Sequence, residues 1–189
     1  MVSARQVYAM LENQSLWDTA AECHQLLQAA DIPHAVMGGV AVCLHGYQRN
    51  TVDLDLLVRA EDAESIRSIL EHANFVWHAE SGEFRSRSGI AVQFLVAGDR
   101  AGTGSEVRLP DPKLPSIVTK IEGLPVLSLA GLIETKLACG QGNIRRTHKD
   151  FADVVELIAH HRLGIAFARS LHKSLRPTFR QLVKAAAGD

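Results

Sequence analysis

Residues 34–58, HAVMGGVAVCLHGYQRNTVDLDLLV, decide how this chain folds and what chemistry it is equipped for. Residues 34–37 read as a short strand and Gly38-Gly39 as a turn. Residues 40–45 read as a short apolar helix closed by Gly46, a residue that tolerates the left-handed C′ position. A strand follows over 52–58. Side chains alternate along a strand, so Thr51, Asp53 and Asp55 share one face while Val52, Leu54 and Leu56 turn to the core. Two carboxylates at i and i+2 on one face repel each other and resist joint ionisation. A divalent cation relieves that repulsion, and hard oxygen donors suit Mg²⁺. The Gly-Gly turn exposes backbone N–H groups at a helix start and lets a phosphate come close. A phosphate-cradling turn followed by a metal-binding carboxylate pair is what phosphoryl or nucleotidyl transfer requires. Alone, an Asp-x-Asp is usually a solvated strand edge and a Gly-Gly only a turn. Their order on one strand–turn–helix–strand unit favours the functional reading.

Outward from this unit, hydrophobic spacing predicts helices over residues 4–12 and 15–30. The second turns Leu16, Ala20, Cys23, Leu26 and Leu27 inward, with Ser15 as N-cap, and Asp31-Ile32-Pro33 stops it. A surface helix over 61–72 buries Ile66, Ile69 and Leu70. Strands are expected over 75–79, 83–88 and 90–96, and the Gly- and Pro-rich stretch 97–115 is a long loop. Short strands near 117–119 and 124–127 lead into helices over 129–139 and 147–160, with helical segments to the end. Short strands followed by mostly helix is an α+β pattern. The expected organisation is N-terminal helices over 1–32, a core over 33–128 and a C-terminal helical segment over 129–189.

The 189 residues are 47% apolar and 22% charged, with a net charge of −1. That balance excludes disorder, collagen, coiled coil and a protein basic throughout. An aromatic content of 5% poorly supplies a base-stacking platform. No apolar run approaches the roughly 18 residues of a membrane span, and residues 1–14 lack a signal-peptide core. Cys23, Cys43 and Cys139 have no CxxC spacing and read as small buried residues in a reducing compartment, so a cytoplasmic location is expected. Charge is unevenly spread. Residues 1–156 hold 14 Lys and Arg against 20 Asp and Glu, whereas residues 157–189 hold six against one.

Gly38-Gly39, thirteen intervening residues and Asp53-Leu54-Asp55 resemble the signature of the DNA-polymerase-β-like nucleotidyltransferase superfamily. With His45-Gly46, Arg49 and Thr51, the run is similar to the bacterial branch of abortive-infection toxins, as found in toxin–antitoxin pairs, and minimal nucleotidyltransferases. A weaker likeness continues through Lys136-Leu137-Ala138 and Lys149-Asp150 with Asp153, so that it spans about residues 33–158. The resemblance implies a nucleotidyltransferase-like mixed β-sheet flanked by helices, here with a C-terminal helical extension. It implies that Asp53 and Asp55 are the catalytic carboxylates and hold Mg²⁺ or Mn²⁺, and that Gly38-Gly39 holds a nucleoside triphosphate. The activity implied is transfer of a nucleoside monophosphate to an acceptor: an RNA end, a protein hydroxyl or a small molecule. Arg49, Thr51, Lys136 and Lys149 are the further nucleotide-binding candidates. Lys136 projects from the edge of an apolar face formed by Leu129, Leu132, Ile133 and Leu137, and lysine serves as a point-charge phosphate binder.

The family places a third carboxylate on a later core strand, and the aligned position here is Gln93. Glutamine is no general base and its neutral amide is a weaker Mg²⁺ ligand. Three readings stay open: Glu83 or Asp99 substitutes, the acceptor is activated differently, or the chain is a catalytically silent nucleotide- or RNA-binding module.

The remaining features carry structural readings beside functional ones. Phe151, Val154, Val155 and Ile158 make the apolar stripe of the 147–160 helix, and Lys149 and Asp153 are spaced to pair at its surface. His160, His161 and Arg162 suit that helix's C-terminus, with Gly164 just after. Arg169, Lys173, Arg176, Arg180 and Lys184 form a positive stripe interrupted by Pro177, opposite Leu171, Leu175, Phe179, Leu182 and Val183. The stripe is either a solvated face or a track for an acceptor's phosphate backbone. No two histidines lie three or four apart, and GxxxxGK[ST], GxGxxG and GxSxG are missing. Helical zinc pairs, P-loop hydrolysis, dinucleotide redox chemistry and the commonest serine hydrolases are therefore unsupported.

Overall fold

The computed structural model describes residues 3–186; Asp189, the single acid of the basic tail, lies outside them. Helices α1 (Ala4–Met10) and α2 (Gln14–Ala29) lead to β1 (Ala35–Met37), α3 (Gly38–Leu44) and β2 (Asp53–Val58). Next come α4 (Ala63–His72) and three strands, β3 (Val76–His78), β4 (Glu83–Arg85) and β5 (Ala91–Val96). Beyond the 97–115 loop lie β6 (Val118–Ile121), β7 (Leu124–Leu127), α5 (Leu129–Gly142), α6 (Ile144–His161) and α7 (Arg176–Ala186). The expected α+β architecture is borne out.

All seven strands join one mixed sheet in the order β3-β4-β5-β2-β1-β7-β6. The central β2 runs antiparallel to β1 and parallel to β5, with Asp53 opposite Ala91, Asp55 opposite Gln93 and Leu57 opposite Leu95. Neighbouring positions share a face, so this register sets Gln93 beside Asp55. Leu54 and Leu56 point to the other face and are buried, as alternation requires, whereas Val52, expected beside them, precedes the strand and is exposed. Leu16, Trp17, Ala20, Cys23 and Leu27 of α2 enter the same core, which explains the sequence spacing there.

Several local expectations are corrected. Asn13 rather than Ser15 occupies the N-cap of α2, and its Nδ2 donates to the Thr51 carbonyl at 2.9 Å. No separate turn precedes α3, because Gly38 is already its first residue, with φ +64°. Helix α5 continues to Gly142 and α6 starts at Ile144, divided by Asn143 alone, whose side chain caps Arg145 N–H at 3.0 Å. The buried side of α6 is Asp150, Asp153, Val154, Leu157 and Ile158, while Phe151 and Val155 are half-buried. The stripe is rotated because two carboxylates on α6 are drawn inward by cations. Arg162, φ +52°, takes the left-handed position expected of Gly164, as Leu163 N–H reaches back to the Ile158 carbonyl at 2.9 Å. The apolar side of the tail docks as expected, with Leu171, Leu175 and Phe179 buried. Among the described residues no helix is long and apolar enough to cross a membrane.

Candidate active site

The start of α3 lies directly on β2. A Cβ at Gly38 would fall inside the Asp55 carboxylate, and one at Gly39 would strike the Thr51 hydroxyl and come within 3.1 Å of Arg49 Nη2. Both glycines thus make room for side chains of the Arg49–Asp55 segment, a role that the phosphate reading of the Gly-Gly pair did not include. Thr51 is buried and donates its hydroxyl to Asp53 Oδ1 at 3.0 Å, which aims that carboxylate.

Asp53 and Asp55 open onto a cleft of about 400 Å³. Gly38 and Gln93 line its sheet side, and α5 and α6 form the opposite wall. Burial, and next the Asp53 charge, push the Asp55 carboxyl up to about 6; Lys136, Arg146 and Lys149 across the cleft pull the other way. Gly39 is buried and does not reach the cleft lining.

Behind the helical wall lies an ion network. Lys136, 5% exposed, holds Asp150 Oδ1 at 3.0 Å and Asp153 Oδ2 at 2.7 Å. Arg49 also grips Asp153, with Nε 2.7 Å from Oδ1 and Nη2 donating at 3.0 Å to the Oδ2 that Lys136 contacts. Arg146 Nε stands 3.3 Å from Asp150 Oδ2, which has no hydrogen-bond partner. Lys136 and Arg49 are therefore committed to carboxylates, although Lys136 still forms part of the cleft lining. Lys149 does not pair with Asp153; it is exposed and faces the cleft. Arg145 and Arg146 join it there and were missed in the sequence. Their signal was the RRTHK run just after an Asn N-cap, which places residues 145, 146 and 149 on the first turns of one helix.

The acids named as substitutes for Gln93 do not line the cleft. Glu83 is buried behind Gln93, 2.5 Å from Arg85 Nη2, and Asp99 is exposed in the loop beyond β5. Cys23 and Cys43 are buried as expected. Cys139 is half-buried on the helical wall, and its thiol donates to the Ala101 carbonyl. Among the described residues no group of three or more His, Cys, Asp or Glu converges as a metal cage. The carboxylates among the cleft-lining residues are Asp53, Asp55 and Asp150.

No protein-family model matches the chain, and no curated protein does. Solved structures do match. A candidate nucleotidyltransferase from Thermotoga maritima aligns at 20% identity with a TM-score of 0.53, over 72% of this chain and 92% of that one. Another, from Helicobacter pylori, aligns at 17% identity with a TM-score of 0.50, over 89% and 93%. The chain has a nucleotidyltransferase-like fold. That likeness concerns architecture: the seven-stranded mixed sheet and the helices that follow it. Within the nucleotidyltransferase-like fold, the cleft's own residues carry any statement about chemistry.

Proposed function

We propose that the protein transfers a nucleoside monophosphate from a nucleoside triphosphate to an acceptor, with Mg²⁺ or Mn²⁺ as cofactor. The observation that carries this reading is the facing of Asp53 and Asp55 by three exposed cations, Arg145, Arg146 and Lys149, across one cleft. A metal–triphosphate complex needs both signs of charge within one cleft. Two carboxylates fit an ion that arrives with the nucleotide and takes its remaining ligands from phosphate and water, which is how Mg²⁺ is usually held. Burial, and next the Asp53 charge, raise the Asp55 carboxyl, and a bound cation would offset both. When bound, the ion would neutralise charge on the phosphates and polarise the attacked phosphorus.

Each residue then has a separable task. Asp53, aimed by Thr51, and Asp55, seated on Gly38, hold the metal. Arg145, Arg146 and Lys149 hold phosphate oxygens and offset the charge of departing pyrophosphate. Lys136 and Arg49 set the position of α6 through Asp150 and Asp153 and so keep those cations in place. An RNA end, a protein hydroxyl and a small molecule all remain acceptors of the right general kind, and a toxin-type role belongs to the same reading.

The test is incubation with α-labelled triphosphates, Mg²⁺ or Mn²⁺ and total cellular RNA, protein or small-molecule fractions. Label transfer lost in Asp53→Asn and Asp55→Asn is expected, together with loss of divalent-dependent triphosphate binding. If both variants bind as wild type does, the site is wrong. Gln93 favours a second reading, a nucleotide-binding module without turnover; divalent-dependent binding with no transfer to any fraction would select it.

A further inference from the structure

Gln93 is exposed on the cleft wall beside Asp55. Its Nε2 lies 3.5 Å from Oε2 of Glu83, a carboxylate 5% exposed and anchored by Arg85. A carboxylate only accepts, so the amide nitrogen faces Glu83 and the amide oxygen is turned away from it. This position offers a neutral oxygen that takes up no proton. The other cleft residues supply no replacement. Asp53 and Asp55 are assigned to the metal. Asp150 has no exposed surface beneath Lys136 and Arg146, and a general base must touch the proton it removes. The Cys139 thiol is engaged by the Ala101 carbonyl, and no histidine lines the cleft.

Resting on the nucleotidyl-transfer reading, we infer that the acceptor is a phosphate monoester, an oxyanion that attacks without surrendering a proton. An acceptor oxygen forms its bond to the α-phosphorus as the bridging α–β P–O bond breaks. The electron pair leaves with pyrophosphate, no proton changes hands, and the product is a phosphoanhydride. A monoester's second ionisation near roughly pH 6 keeps it dianionic at neutral pH. Bringing that charge up to a triphosphate costs repulsion, and Arg145, Arg146 and Lys149 stand on one wall where they offset it. A small phosphorylated molecule and a 5′-phosphorylated nucleic-acid end present the same group.

The experiment uses the full chain, α-labelled triphosphates, Mg²⁺ and matched acceptors. One pair is ribose 5-phosphate against ribose; the other is a 3′-blocked oligonucleotide with a 5′-phosphate against the same strand with a 5′-hydroxyl. Label should enter a phosphorylated member about tenfold or more faster than its partner, and the pair that responds identifies the source of the phosphate. Equal or faster labelling of the hydroxyl members overturns the inference, and so does divalent-dependent triphosphate binding with no labelling at all. Failure of that binding overturns nucleotidyl transfer itself. Gln93→Glu supplies a readout apart from turnover. With a non-hydrolysable triphosphate bound, calorimetry should show acceptor phosphate held about tenfold more weakly. Unchanged acceptor affinity overturns the inference.

Discussion

Asp55 carries the clearest consequence for a single residue. Its carboxyl is pushed up to about 6 by burial and by Asp53. A folded-state pKa raised above the unfolded value means that the folded chain holds its proton longer, so stability falls as pH rises from about 4 to about 6. Above that window the ionised group costs about 2–3 kcal/mol, since one unit is about 1.4 kcal/mol. Asp55→Asn should therefore raise the stability of the metal-free protein by about 1–3 kcal/mol at pH 8 and by almost nothing at pH 3.5. Urea unfolding at the two pH values checks this; an Asn variant less stable than wild type at pH 8 would contradict the site's electrostatics. The Asp-x-Asp pair was legible because strand alternation needs only sequence. The reason for Gly38 was not, since it depends on how closely α3 is laid against β2.

At the scale of elements, α6 holds two kinds of charge with opposite uses. Asp150 and Asp153 face inward to Lys136 and Arg49, while Arg145, Arg146 and Lys149 face the cleft. Removing one member of a buried ion pair strands the other, at about 3–5 kcal/mol. Asp153→Ala, which leaves Lys136 and Arg49 short of a partner, should lower stability by about that amount in denaturant titration. Lys149→Ala should change stability by less than about 0.5 kcal/mol, yet weaken triphosphate binding about tenfold. If the two variants behave alike, the division of labour is wrong. Sequence spacing located α6 but assigned Asp153 to Lys149, because an i,i+4 pair is visible in one helix. Contacts with residues 49 and 136 are not, for they depend on tertiary placement of α3, β2 and α5 around it.

For the whole molecule, the α+β order, the central strand pair and the docked apolar side of α7 could be read from hydrophobic period. The β2–β5 register that sets Gln93 beside Asp55 could not, because it follows from the lengths and packing of the intervening elements. The basic tail changes meaning with the structure. Arg176 donates through Nε to the Leu171 carbonyl at 2.9 Å, so it serves the fold and leaves the stripe. Arg169, Lys173, Arg180 and Lys184 stay exposed. Arg180→Glu with Lys184→Glu should leave triphosphate binding unchanged. If the tail tracks a nucleic-acid acceptor, RNA affinity should fall and its log–log salt slope should shrink by about two. Filter binding over a salt series measures both, and an unaltered slope removes the tail from acceptor recognition. The ion network also has a consequence in time. It joins residue 49 to residue 153 and residue 136 to residue 150, so the wall opposing Asp53 and Asp55 comes from chain made long after them. A nascent polypeptide displaying β2 alone carries two mutually repelling acids and nothing to grip a triphosphate. On the ribosome the cleft stays without its second wall until α6 has emerged and closed the circuit.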